Sequence, residues 1–160
     1  MARPKACEVA TASLRMDSEI KGLYDQANLN AEKEARNLVA FGLRDGMSVL
    51  EVGSGPGFVT EWVSRLISKG SITCVEIDPI MVNFASQHSE KASQRQYRII
   101  KSSITRRDLR GDSFDFAFAC IVFERIPDPV GARKEIKRLL KPGGRLVISE
   151  KLLPSEDSLR

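Results

Sequence analysis

One stretch, Ser48–Phe58, constrains the fold of this chain more than any other. Its first half, Val49–Val52, has the β-branched, apolar character of a strand that is covered on both faces. Gly53, Gly55 and Gly57 follow, and glycine leaves no side chain in the way of a ligand. The stretch therefore predicts a ligand site at the carboxyl end of a parallel strand, beside the free N–H groups that begin the next helix.

The spacing of these glycines argues against a dinucleotide. The dinucleotide fingerprint has its third glycine five places after the first, and from Gly53 that place holds Phe58. Glu51 also precedes the first glycine, and a carboxylate there would repel a pyrophosphate. The same carboxylate suits a ligand with a cationic end. S-adenosylmethionine (SAM) is such a ligand, with an ammonium, a sulfonium and no phosphate.

Separate motifs of the chain resemble those of the class I (Rossmann-like) SAM-dependent methyltransferases. Val49–Gly57 is similar to the first motif of that family, Asp112–Cys120 to its fourth strand, and Leu140–Gly144 to its L-K-P-G-G turn. The resemblance covers residues 30–150. It implies an α/β, doubly wound, mainly parallel sheet with helices on both faces and the first strand central. The antiparallel strands that usually follow in the family are expected to be absent, because only residues 151–160 remain after the fifth strand.

The second predicted strand, Ile72–Ile77, carries a carboxylate near its end. Glu76 lies near the end of this strand, roughly twenty residues after the last glycine, where an acid can accept hydrogen bonds from both ribose hydroxyls. The alternative is an exposed surface acid. Asp78 and Pro79 then begin a helix, as its cap and first residue.

The resemblance implies the remaining contacts to SAM. The family usually places an acid for the adenine amino group after the third strand, where this chain has Ser102 and Ser103. Ala119 and Cys120 fall where family members offer backbone contacts to the methionine end. The predicted cofactor-binding residues are Glu51, Gly53, Ser54, Gly55, Gly57, Glu76, Ile77, Ser102, Ser103, Ala119 and Cys120.

The acceptor side of the site is less well defined by the sequence. Related enzymes often carry two histidines where this chain has Glu124 and Arg125, and the resemblance places both on the substrate side. The alternative is a surface ion pair of little energetic value. Trp62 is assigned to the core. No catalytic residue is predicted, because a general base is needed only if the acceptor must lose a proton.

Composition narrows the class of protein and its partners. The net charge is +4, and no aromatic and basic cluster of the kind that binds nucleic acid is visible. No apolar run is long enough to span a bilayer. Cys7, Cys74 and Cys120 match no metal spacing, so no metal site is predicted. Cys74 and Cys120 lie in apolar strand runs, and buried thiols of this kind indicate a reducing, cytoplasmic location.

The expected organisation has three parts. Residues 1–29 form an N-terminal extension or lid, with a frayed helix as the alternative, residues 30–150 form the SAM-binding domain, and residues 151–160 form a C-terminal tail. Asn30 is predicted to cap a helix that begins at Ala31. An uncovered sheet edge invites association, which predicts a second copy or another partner.

The expected function is methyl transfer from SAM to a small-molecule acceptor by in-line displacement. Three alternatives stay open: a non-catalytic SAM-binding or scaffold protein, a nicotinamide-dependent oxidoreductase, and an RNA methyltransferase.

Overall fold

Strands and helices alternate along the chain in the computed structural model, which describes residues 21, 22, 25, 34, 36–91 and 97–150, without the side chains of 88–91. Residues 36–40 are helical. The elements that follow are β1 (Ser48–Val52), α1 (Phe58–Leu66), β2 (Ser71–Glu76), α2 (Pro79–Lys91), β3 (Tyr97–Lys101), β4 (Phe114–Cys120), a 3₁₀ turn (Phe123–Arg125), α3 (Pro129–Leu139) and β5 (Leu140–Ser149).

The strands form one parallel sheet in the order β3-β2-β1-β4-β5. The central strand β1 pairs with β2 on one side and with β4 on the other. The predicted fold class is confirmed, and within the described residues no antiparallel strand joins the sheet. The chain reverses its direction of travel across the sheet next to β1, and ligands bind at such a switch point in open α/β sheets.

Helices cover both faces of the sheet, which explains why the central strands are almost wholly apolar. Val49 packs with α1 residues such as Val63 in one buried cluster. Leu50 packs with α3 residues such as Ile136 in the other cluster. Side chains alternate between the two faces of a strand, so every residue of β1 needs a partner. Burying each large apolar side chain stabilises the fold by about 1.5–3 kcal/mol.

The fifth strand begins earlier than the sequence predicts. The L-K-P-G-G stretch, Leu140–Gly144, was expected to be a turn, whereas β5 already begins at Leu140, directly after α3. Leu140 pairs with Phe114 and Arg145 with Phe116, so residues 141–144 bulge out of the ladder. Gly143 accommodates the bulge with a φ of 80°.

Several predictions concern residues outside the described ones. The lid or extension (1–29) is described only at Lys21, Gly22 and Asp25, and the cap at Asn30, the helix start at Ala31 and the tail (151–160) are not described. These domain boundaries and the partner at the sheet edge stay predictions. In the part of the chain that is described, no helix has the length and apolar character to cross a membrane.

The glycine turn after β1 is fixed by close packing. The N–H of Gly53 donates to the carbonyl of Val75 over 2.8 Å, and Gly53 has a φ of 71°. A Cβ atom at this position would overlap Cγ2 of Val122, which lies directly on the glycine. Gly53 is therefore required both by its backbone angle and by the side chain above it.

We expect Gly53→Ala to lower the free energy of unfolding by about 2–4 kcal/mol, because left-handed strain and overpacking add. Gly46→Ala is the matched control, since Gly46 has a φ of 86° and open space around the added Cβ. The control isolates the backbone strain of about 1–2 kcal/mol. Urea denaturation measures both variants, and equal losses would contradict the packing role of Val122.

Candidate cofactor site

A cleft of about 710 Å³ opens at the carboxyl ends of the central strands. The glycine turn after β1 forms its floor, the end of β2 forms one side, and the segment after β4 forms the other. Its volume lies within the range of about 300–1,000 Å³ that is usual for small-molecule sites. The fold therefore provides a cleft of ligand size at the position that the glycine pattern indicates.

All predicted cofactor-binding residues except two line this cleft. Gly57 instead faces α2, because a Cβ on it would lie 3.2 Å from Cβ of Ala85. Ala119 is completely buried in the cluster that packs against α3. The residues that the structure brings together are Glu51, Gly53, Ser54, Gly55, Glu76, Ile77, Ser102, Ser103 and Cys120.

Glu76 holds the glycine turn against the end of β2. Its Oε2 accepts a hydrogen bond of 2.8 Å from the N–H of Gly55. Its Oε1 accepts from the N–H groups of Ile77 and Asp78 at 2.8 Å and 2.9 Å. A carboxylate offers about four acceptor positions, so one remains for a ligand in the cleft.

Glu51 is a carboxyl group buried beneath the cleft. Its Oε2 accepts hydrogen bonds from Oγ1 of Thr60 at 2.5 Å and from the thiol of Cys74 at 3.4 Å. Burial raises the pKa of Glu51 to about 7, and the charge of Glu76 adds to this effect, against the opposing bonds from Thr60 and Cys74. Near neutral pH the group is therefore divided between its neutral and charged forms.

The hydroxyl of Ser54 is a buried polar group without a hydrogen-bond partner among the described residues. It lies near enough to the thiol of Cys74 to influence the pKa of that group, without meeting hydrogen-bond geometry. A buried, unpaired polar group costs about 1–3 kcal/mol. Because Ser54 lines the cleft, a polar ligand atom can remove this cost.

The part of the cleft that follows β3 carries two neutral side chains, Ser102 and Ser103, which are already hydrogen-bonded. Oγ of Ser102 donates to Asp108 at 2.9 Å, and the hydroxyls of Ser103 and Thr105 share a bond of 2.8 Å.

Burial raises the pKa of the Cys120 thiol, at the end of β4, well above its usual range, with a further effect from nearby carboxylates. Cys120 therefore stays a protonated thiol rather than a reactive thiolate.

A tight turn after β4 forms the wall of the cleft. Ile121 has a φ of 52°, which is strained for a β-branched residue, and its N–H donates to the carbonyl of Ser149 at 2.7 Å. Oε1 of Glu150 accepts from the N–H groups of Val122 and Phe123 at 3.2 Å and 2.6 Å. The end of β5 thus holds the strained turn in place.

Sequence reasoning missed the residue that pairs with Glu51 and placed others at the cleft only in part. Thr60 is the partner of Glu51, and its only signal is its position in the helix after the glycines. Trp62 packs on the core cluster as predicted but also lines the cleft. Of the pair predicted on the substrate side, Arg125 lines the cleft and Glu124 does not. The ion pair considered between these two does not form in the described structure.

Comparison with known proteins now identifies the family. A family model described as "Methyltransferase domain" matches residues 50–148. The chain belongs to the class I, Rossmann-like methyltransferase family. This match reaches all five strands, from β1 to β5, and includes every residue that lines the cleft except Glu34.

Individual relatives agree with this assignment. The chain is 34% identical over 105 residues to a ubiquinone biosynthesis O-methyltransferase of Xanthomonas oryzae, covering 65% of this chain and 43% of the relative. A SAM-dependent methyltransferase structure from Aquifex aeolicus superposes with a TM-score of 0.77 at 30% identity, covering 86% of this chain and 76% of the other. The structure of the [4+2]-cyclase SpnF superposes with a TM-score of 0.67 at 27% identity, covering 73% and 44%.

The chain thus spans less than half the length of the curated relative that it matches. Family membership therefore rests on residues 50–148, the region that matches the family model.

Glu51 should make the stability of the chain depend on pH. Its pKa of about 7 in the folded state lies above the ordinary value of 4.5, so the folded state binds the proton more tightly. Stability is then full at low pH and declines as pH rises from about 4.5 through 7, by about 3 kcal/mol in total. Glu51→Gln should remove this contribution, as measured by urea unfolding at pH 5 and pH 8.

Glu124→Gln, at an exposed position, is the control and should leave the pH dependence intact. A pH dependence that Glu51→Gln leaves unchanged would show that another group is responsible.

Proposed function

We propose that the chain binds SAM in this cleft and transfers the methyl group to a small-molecule acceptor. One observation carries the proposal: two buried carboxyl groups, Glu51 and Glu76, line the same cleft on either side of the glycine turn. Two acids disfavour a ligand with phosphates and favour one with a cationic end and free hydroxyls. This combination also argues against a nicotinamide cofactor.

The polar groups of the cleft fit different parts of SAM. The free acceptor position of Glu76 would take the ribose hydroxyls, and ionised Glu51 would balance the ammonium group. The unpaired hydroxyl of Ser54 would gain a partner. Added space is available at Gly55, where a Cβ would meet nothing within 4 Å.

Apolar and neutral residues fit the adenine. Ile77 is 68% exposed on the cleft wall, which is unusual for an isoleucine and leaves a flat base able to cover it. Ser102 and Ser103 would lie near the edge of the base. They offer hydroxyls instead of a carboxylate, so they would bind its amino group without a charge.

SAM supplies a methyl group that its sulfonium sulfur already activates. The residues of the chain then act mainly by placing the acceptor and by excluding water, since orientation alone can supply much of the rate enhancement. The protonated thiol of Cys120 and the apolar side chains of Ile121 and Val122 surround this region. A general base is required only for an acceptor that arrives protonated.

A small acceptor is supported by the size of the cleft and by the name of the Xanthomonas relative, a biosynthetic O-methyltransferase. The neighbour named as a cyclase shows that this fold also serves other chemistry. Methyl transfer must therefore be measured as release of S-adenosylhomocysteine, in addition to SAM binding.

Calorimetric titration with SAM tests the cofactor site. We expect saturable binding, weakened on the order of tenfold or more by Glu76→Gln, because the amide loses the charge and its NH2 group cannot accept from the backbone N–H groups on one side. Glu135→Gln is the control, since Glu135 is also buried and paired, with Arg138, but lies outside the cleft. It should bind SAM as the parent does.

If the folded, unmutated chain failed to bind SAM, or bound NADH instead, the proposal would be contradicted. Binding without any release of S-adenosylhomocysteine across a panel of small acceptors would favour the non-catalytic alternative.

SAM affinity should also increase with pH. Ionised Glu51 favours a cationic ligand, and its pKa is about 7 before the ligand binds. The association constant should therefore rise by up to about tenfold per pH unit below that value and level off above it. In Glu51→Gln, titrations between pH 5.5 and 8.5 should show weaker binding without this rise, and a persistent rise would assign the effect elsewhere.

A further inference from the structure

We propose that Arg125 binds a carboxylate of the acceptor, so that the acceptor is an apolar molecule that carries one such group. The inference rests on the proposed function, because it concerns the acceptor side of the same cleft. It depends on three observations: the charges that line the cleft, the apolar surroundings of Arg125, and the turn that presents it.

Charge is distributed unevenly among the described residues that line the cleft. The charged side chains there are Glu34, Glu51, Glu61, Glu76, Asp78, Arg65 and Arg125. Arg65 is paired with Glu61 at 3.2 Å. Arg125 takes part in no ion pair within the described part of the chain, so its charge is available to a ligand.

Apolar side chains flank Arg125 on the wall of the cleft. Ile121, Val122, Ile126 and Pro127 line the cleft beside it. A ligand on this wall would place its apolar body against these residues and a negative group on the arginine. The planar guanidinium donates two parallel hydrogen bonds, which fits a carboxylate better than a single oxygen.

The backbone around Arg125 is held in one conformation. The N–H of Arg125 donates to the carbonyl of Val122 at 3.0 Å, and the N–H of Ile126 donates to Phe123 at 3.2 Å. The carboxylate of Glu150 and the strained Ile121 fix the preceding residues. The backbone at Arg125 therefore loses less freedom on binding an anion than a mobile loop would, although the exposed side chain must still be ordered.

The chemistry of arginine decides the role of this side chain. A guanidinium has five N–H donors and no acceptor atom, so Arg125 cannot take a proton from the acceptor as a base. It can act only by binding negative charge. Glu51 and Glu76 would bind the cofactor through negative charge, and Arg125 would bind the acceptor through positive charge, so opposite charges distinguish the two ligands.

Benzoate and benzamide test the inference, because they share a shape and differ in charge. Dissociation constants are measured by ligand-observed NMR with SAM present, for the parent, Arg125→Gln and Arg125→Lys. We expect the parent to bind benzoate on the order of tenfold more tightly than benzamide. Arg125→Gln should lose this preference, and Arg125→Lys should keep only part of it, because lysine lacks the planar fork.

Arg133→Gln removes the same charge from an exposed position on α3, outside the cleft, and should keep the preference. SAM titrations of all variants should agree with the parent, which shows that the fold and the cofactor site are intact. Equal binding of the two compounds, no saturable benzoate binding, or a preference that survives in Arg125→Gln would overturn the inference. Failure of the parent to bind SAM would instead overturn the proposed function, so the two failures are distinguishable.

Discussion

The carboxylate of Glu76 is the interaction on which the cofactor end of this structure depends. It joins two segments that are distant in sequence, because it accepts from Gly55 in the glycine turn and from Ile77 and Asp78 after β2. Without it, three backbone N–H groups near the switch point of the sheet would lose their partner. One side chain therefore shapes the turn and also offers an acceptor to the ligand that the turn receives.

Glu51 shows how the same residue type serves a different purpose a short distance away. Glu76 is satisfied by backbone donors, whereas Glu51 is bonded by the side chains of Thr60 and Cys74 beneath the cleft. Its raised pKa means that the ionised form of this acid lowers the free energy of unfolding. Such a cost is typical of a functional site, where a charge is arranged for a ligand rather than for the fold.

The sequence predicted the parallel sheet, the central position of β1 and the acid at the end of β2, because these follow from local apolar runs, glycine spacing and the resemblance to a known family. Contacts between distant residues carried no local signal. The bond from Thr60 to Glu51, the cap of Glu150 on the turn after β4, and the early start of β5 all depend on how strands align in space. Gly57 was expected at the ligand but packs on α2, since a sequence shows that a glycine is needed and not which neighbour requires it.

The contact between Gly53 and Val122 has a consequence for how two ligands would affect each other. Val122 belongs to the same turn as Arg125, and it rests on the floor of the cofactor end. Any displacement of the glycine turn is therefore passed to the acceptor wall through van der Waals contact. Such coupling is reciprocal, so whatever free energy one ligand gains from the presence of the other, the second gains from the first. The coupling free energy carried by this contact is then the same whichever ligand binds first.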